Sequence, residues 1–227
     1  MGGCAESMNR FDIINRLVEK NNYSSYLEIG VSNPDDCFNK IKVEDKVGVD
    51  PFPTKGQPNI YETTSDLFFS VCGKPIDIIF VDGLHLEGQV IKDIENSLKL
   101  LTEGGSIVVH DCNPTTKEVA TEVAPWWAKA VQRRSYTPVP FSDSCVLEEM
   151  DEDLGKTWYG TSWKGFVHFR MCRDNLKMLT VDTDCGCGII QRGSQERYPI
   201  VDNLQWEDLE GDRRKMLNLM SVEDWLS

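Results

Sequence analysis

Several absences narrow what this 227-residue chain can be. It has no apolar run of membrane-spanning length and no amino-terminal signal core, so the reading is a protein with no membrane span and a cytoplasmic location. Positive charge is scarce: 24 Lys and Arg stand against 37 Asp and Glu, a net charge of -13. That balance argues against a nucleic-acid or anionic-membrane surface, both of which need Lys and Arg, and steering favours neutral or cationic substrates. None of the 8 cysteines forms a Cys-x-x-Cys pair, which points to reduced thiols. Cys185-Gly186-Cys187 alone offers closely spaced thiols, and neither a second pair nor a His near it in sequence completes four ligands. The myristoylation pattern suggested by Met1-Gly2-Gly3-Cys4 has Glu6 where Ser or Thr belongs. Neither a Gly-x-Gly-x-x-Gly turn nor a Tyr-x-x-x-Lys pair is present, which weakens a dehydrogenase reading. Repeats and low-complexity tracts are also missing.

What is present is a series of short apolar runs ending in an acidic residue or placing one inside. They are Tyr26-Leu27-Glu28-Ile29-Gly30, Val47 to Asp50, Ile76 to Asp82 and Ile107 to Asp111. Continuous apolar runs without period-2 alternation suit strands covered on both faces, as in parallel sheets flanked by helices. Open sheets of that kind bind ligands at the carboxyl ends of their strands, and the acidic residues gather there.

The order along the chain supports an α/β, Rossmann-like, doubly wound and mainly parallel sheet. A lead-in helix carries Phe11, Ile13, Ile14, Leu17 and Val18. The first strand runs to Val31, and Ser32-Asn33-Pro34-Asp35-Asp36 starts a helix through Phe38 and Ile41. The second strand ends at Asp50 before Pro51-Phe52-Pro53, a weaker element surrounds Ile60-Tyr61, and Thr64 to Phe69 reads as a capped helix start. After the strand Ile76 to Val81, a helix with Val90, Ile91, Ile94, Leu98 and Leu101 ends at Gly104-Gly105, and Ile107 begins the next strand. A helix over Val119 to Val131 and an acidic loop at about 141–157 follow. Phe166 to Arg170 and Leu176 to Val181, joined by Arg173-Asp174-Asn175, predict a C-terminal antiparallel hairpin. One domain is expected over 1–190, with a helical tail over 191–227 that packs on it or forms a homodimer surface.

The ordered set Tyr26-Leu27-Glu28-Ile29-Gly30, Val49-Asp50, Ser65-Asp66, Phe80-Val81-Asp82-Gly83-Leu84-His85 and Gly104-Gly105 through His110-Asp111 resembles the motifs of class I S-adenosylmethionine-dependent methyltransferases. Asp-Gly-x-His, then Gly-Gly and a strand-ending Asp, is similar to a small-molecule O-methyltransferase branch that includes macrolide-sugar enzymes. The resemblance covers roughly residues 11 to 135 and the hairpin, and departs from the family at Ser32-Asn33-Pro34, where further glycines are usual.

The resemblance implies S-adenosyl-L-methionine as cofactor, with Glu28, Gly30, Asp50, Ser65, Asp66 and Asp82 lining its site. Asp50 would take the ribose hydroxyls, Glu28 the methionine ammonium, and Ser65 and Asp66 the adenine edge; an N-cap role for Asp66 stays open. It also implies Mg²⁺ on Asp82 and Asp111, two hard carboxylates that suit such an ion, with Asn113 as a further oxygen. His85 would take the proton of an acceptor hydroxyl before methyl transfer, and its alternative is a structural hydrogen bond. His110 is expected to pack or orient Asp111, and His168 to sit in the hairpin as a pleat residue. Trp126-Trp127, Trp158-Tyr159 and Trp163-Lys164 could line an acceptor pocket or belong to the core, and Lys164 and Arg170 could meet an acidic acceptor. The expected reaction is O-methylation of a small polar acceptor, a sugar or natural product. No Asn-Pro-Pro-Tyr motif for amino methylation of bases is present. The rival from another class is a non-catalytic cofactor- or nucleotide-binding Rossmann-like module.

Overall fold

The apolar runs become the centre of one eight-stranded sheet. The computed structural model describes residues 8–122 and 158–227. Strands β1 (Ser25–Ile29), β2 (Asp45–Asp50), β3 (Ile60–Glu62), β4 (Ile76–Val81) and β5 (Leu101–Val109) are mutually parallel. Strands β6 (Leu176–Val181), β7 (Cys187–Arg192) and β8 (Leu219–Met220) complete the order β3-β2-β1-β4-β5-β7-β6-β8. β7 runs antiparallel to both β5 and β6, the expected C-terminal hairpin on a doubly wound sheet, and β8 lies parallel to β6.

Helices cover both faces, and alternate residues of each central strand serve opposite layers. Tyr26, Ile78, Phe80 and Val108 pack towards α1 (Arg10–Asn21), which buries Ile13, Ile14, Leu17 and Val18. Leu27, Ile29, Ile79, Val81, Ile107 and Val109 pack on the other face. There they meet Phe68 of α2 (Ser65–Val71), Val90 and Ile94 of α3 (Glu87–Leu100) and Phe166 and Val167 of α4 (Ser162–Cys172). Ile94 is wholly buried, and truncating such a side chain to Ala costs about 2–5 kcal/mol. Leu209 and Met216 of α5 (Trp206–Met216) join the same layer, and α6 (Val222–Leu226) closes the chain. No helix among the described residues is long and apolar enough to cross a membrane.

Four local expectations are corrected. The segment after Ser32 forms only a 3-10 turn, Phe38–Lys40, because side chains take the carbonyls a longer helix would use. Lys46 Nζ donates to Phe38 O and Ile41 O, and Asn15 Nδ2 donates to Lys40 O. α3 stops at Leu100, before Gly104-Gly105, and those glycines lie in an irregular start of β5, where pairing jumps from Ile76↔Leu101 to Ile78↔Ser106. Phe166 to Arg170, expected as strand, is inside α4, and His168 with it; the hairpin is β6 and β7 instead. α4 buries eight residues spread around its circumference, so no helical stripe shows in the sequence. Lastly, Val119 to Glu122 is not helical; the rest of that expected helix, Trp126-Trp127 and the acidic loop lie outside the described residues.

Candidate active site at the strand ends

β1 ends tightly against β4. Gly30 has φ +89°, and a Cβ there would sit 2.1 Å from the Asp82 carbonyl oxygen, so a side chain has neither room nor an easy conformation. The demand at Gly30 comes from the neighbouring strand. Two residues before it, Glu28 is buried and accepts a short hydrogen bond from Tyr26 Oη, with Cys37 alongside. Burial pushes the Glu28 carboxyl up to about 8, although the Tyr26 hydrogen bond favours its charge.

Asp50, at the end of β2, ties two loops together. Its Oδ2 accepts from the Ser32 N–H (2.8 Å) and its Oδ1 from the Phe52 N–H (2.7 Å). Ser32 has φ +47°, so the carboxylate helps shape the turn that lacks the usual glycines. Thr64, not Asp66, caps α2: its hydroxyl accepts from the Leu67 N–H. Ser65 Oγ and Asp66 Oδ1 instead face Gln89 Nε2 at 3.2 and 3.1 Å, beside Asp93, whose carboxyl burial raises to about 6.

The ends of β4 and β5 carry a cluster of alternating charge. Asp82 Oδ1 lies 3.1 Å from His110 Nδ1 and 3.3 Å from His85 Nε2, and Asp82 Oδ2 accepts from Arg10 Nη1 at 2.8 Å. Asp111 Oδ2 lies 3.0 Å from His85 Nδ1. Asp184, in the β6–β7 turn, accepts from the Arg10 backbone N–H (2.7 Å) and Nε (3.2 Å). Three carboxylates thus meet three cationic side chains. Burial opposes charge on His85, but Asp111 and Asp82 outweigh it and raise the ring to about 10. The same balance holds His110 well above the usual range and Asp82 and Asp111 below theirs, while Asp184 is lowered to about 2. Charged and with both ring nitrogens engaged, His85 can accept a proton only after it has given one up, which loss of a carboxylate contact favours.

Sequence reasoning missed Arg10 and Asp184. One signal existed for Arg10: a cation in the first turn of a helix opposes the helix dipole and calls for a carboxylate elsewhere. Asp184 supplies it and receives the first helical N–H as well.

The remaining candidates separate. Trp158 stacks on His85 with ring centroids 5.5 Å apart, and its indole donates to Thr121 O. Trp163 is buried core. Arg170 points away from the strand ends, donating to Gln195, Glu196 O, Lys215 O and Met216 O. Asn113 is held by Arg213 Nη1 at 2.7 Å and donates to Asp182, so it is not a third oxygen for Asp82 and Asp111. Cys112 is fully buried.

Among the described residues, two groups could hold an ion, each with its ligand atoms within 4.8 Å of one another: Asp82, His110 and Asp111, and His110, Asp184 and Cys185. The first fits a hard cation. Asp111 Oδ1 is buried without a hydrogen-bond partner, since His110 Nδ1 approaches at 3.1 Å too obliquely to donate. An anionic oxygen in that state wants a cation.

The family described as a methyltransferase domain matches residues 27–112, from β1 to just past the end of β5. The matched residues span the parallel half of the Rossmann-like sheet, from β1 to β5, and amount to less than half of the chain. Comparison with curated proteins gives no match. Among solved structures it is similar to the S-adenosylhomocysteine-bound methyltransferase PaMTH1 of Podospora anserina (12% identity, 82% of this chain and 78% of that one, TM-score 0.48). It is also similar to the O-methyltransferase TomG of Streptomyces achromogenes in complex with SAM (12%, 80% and 78%, TM-score 0.46). A third is MycE of the mycinamycin biosynthetic pathway, in complex with Mg, SAH and mycinamycin VI (14%, 83% and 50%, TM-score 0.42). At these identities the likeness is one of fold alone.

Proposed function

We propose that the protein transfers a methyl group from S-adenosylmethionine to a hydroxyl of a small polar acceptor, a sugar or natural product, with Mg²⁺ held by Asp82 and Asp111. The observation that carries this reading is the cluster of Asp82, His85 and Asp111 at the adjoining ends of β4 and β5, inside a methyltransferase domain. When bound, the ion supplies positive charge that makes an acceptor hydroxyl more acidic. Asp82 and Asp111 are the hard oxygen donors for it, and the unpartnered Asp111 Oδ1 is the natural first contact.

The chain's own groups do the rest. His85, once freed from one carboxylate and with its own proton released to solvent, takes the acceptor's proton, and Trp158 stacked against its ring limits where that ring can swing. Asp50 offers its remaining lone pairs to the ribose hydroxyls while fixing the loops on either side. Ser65 and Asp66, which hold Gln89 here, would turn to the adenine edge when the cofactor binds. The net charge of -13 favours neutral or cationic acceptors over anionic ones.

A second reading has its own support. Arg10, His85 and His110 already neutralise Asp82, Asp111 and Asp184, an arrangement that would also serve a non-catalytic cofactor-binding module. Calorimetric titration with S-adenosylhomocysteine, with Mg²⁺ and with chelator, followed by an acceptor screen, separates them. Binding with metal-dependent turnover is expected. Binding without turnover of any hydroxyl acceptor favours the module, and absence of binding in both buffers removes the methyltransferase reading.

A further inference from the structure

His110 faces two ways. Its Nδ1 lies 3.1 Å from Asp82 Oδ1, while Nε2 is buried without a hydrogen-bond partner and points at the β6–β7 turn. The nearest acceptor there, Asp184 Oδ1, is 3.6 Å away, beyond hydrogen-bonding range. The Cys185 sulfur completes a group whose three ligand atoms lie within 4.8 Å of one another. Asp184 and Cys185 are brought there by a turn in which three successive residues, Asp184, Cys185 and Gly186, have φ of 43°, 64° and 87°. Gly186 N–H closes this turn on Thr183 O at 2.8 Å, and left-handed angles at both central residues, Asp184 and Cys185, are the hairpin geometry that reverses the chain from β6 to β7. The Tyr159 hydroxyl acts on the Cys185 thiol as well.

We propose that His110 Nε2, Asp184 Oδ1 and Cys185 Sγ form a binding site for a borderline divalent ion of the zinc class, separate from the Asp82–Asp111 oxygen pair. The donor set carries the choice: imidazole, carboxylate and thiolate suit Zn²⁺, Co²⁺ or Ni²⁺, whereas Mg²⁺ prefers oxygen alone. A metal-binding histidine characteristically donates its other ring N–H to a carboxylate, and Asp82 already occupies that position. Arg10 holds only Asp184 Oδ2, which leaves Oδ1 for the ion. Three protein ligands leave a fourth position for water or an added group. Binding displaces protons from Nε2 and from the thiol to solvent. The site stands on these side chains and does not depend on the methyltransferase reading.

The test loads the protein with Co²⁺ in the presence of excess Mg²⁺. A near-ultraviolet thiolate-to-cobalt band is expected in the parent and in Cys172→Ser, which removes an exposed thiol, and is expected to vanish in Cys185→Ser and weaken strongly in His110→Gln. Should Cys185→Ser fail to fold, X-ray absorption of the zinc-loaded parent decides: a single sulfur at about 2.3 Å with nitrogen and oxygen at about 2.0–2.2 Å is expected. A band that persists in Cys185→Ser, a parent that binds no cobalt, or an all-oxygen shell overturns the proposal. Titration with S-adenosylhomocysteine on the same samples reports separately on the cofactor site.

Discussion

Arg10 Nη1 lies 2.8 Å from Asp82 Oδ2, across 72 residues of sequence, so the opening turn of α1 is fastened to the end of β4. The same guanidinium reaches Asp184, and all three side chains are less than a third exposed. Arg10→Gln therefore leaves two half-buried carboxylates short of a counter-charge. The expected loss is about 1–3 kcal/mol of stability in urea unfolding, allowing for partial solvent access. An unchanged midpoint would mean that His85 and His110 alone balance the cluster.

His85 is where the catalytic reading is most exposed to test. His85→Ala is expected to lower turnover by about 10²–10⁴-fold while leaving S-adenosylhomocysteine affinity nearly unchanged, since its contacts are with Asp82, Asp111 and Trp158. Equal turnover in the variant would assign the proton to another group.

Asp50→Ala removes the acceptor for two backbone N–H groups and frees the loops after β1 and β2 together. Stability should fall by about 1–3 kcal/mol, and cofactor affinity should fall with it. Asp50→Asn, which keeps one acceptor oxygen, should recover part of the stability but less of the affinity. If both variants bind cofactor like the parent, the ribose role of Asp50 is lost.

Glu28 gives a pH signature of definite sign. Its carboxyl is raised to about 8 in the fold and has its ordinary value of 4.5 when unfolded. Between those values the folded protein holds a proton that the unfolded chain releases, so this group's contribution to stability falls as pH rises from about 4.5 to 8. Tyr26, Cys37, Asp82 and Arg10 are the titratable groups that act on it. Stability profiles of the parent and Glu28→Gln should therefore diverge across that window, with the variant holding more of its stability at the alkaline end. Parallel curves would show that Glu28 keeps its ordinary value.

Much of the sheet was legible because β1, β2, β4 and β5 are short apolar runs bounded by acids and turn residues. Strand identity there depends on local composition, and the acidic ends of β4 and β5 fell where a parallel sheet places them. Phe166 to Arg170 was not legible, because a helix buried nearly all round has no polar stripe to reveal its period. Nor was the pairing of Arg10 with Asp184, 174 residues apart, since only the assembled sheet brings α1 to the β6–β7 turn. Cys185 without a neighbouring His in sequence looked incomplete as a ligand set for the same reason: His110 arrives through β5 lying beside β7.

The two rims of the sheet are its shortest strands, β3 with three residues and β8 with two. A long unpaired ladder at either rim would be a template for another chain to stack upon. By laying Leu219 and Met220 along β6, β8 pairs with Thr180 and Val181 at the carboxyl end of that strand. Its loss would bare the carboxyl end of β6, where Thr180 and Val181 now find their partners, to pairing by another chain.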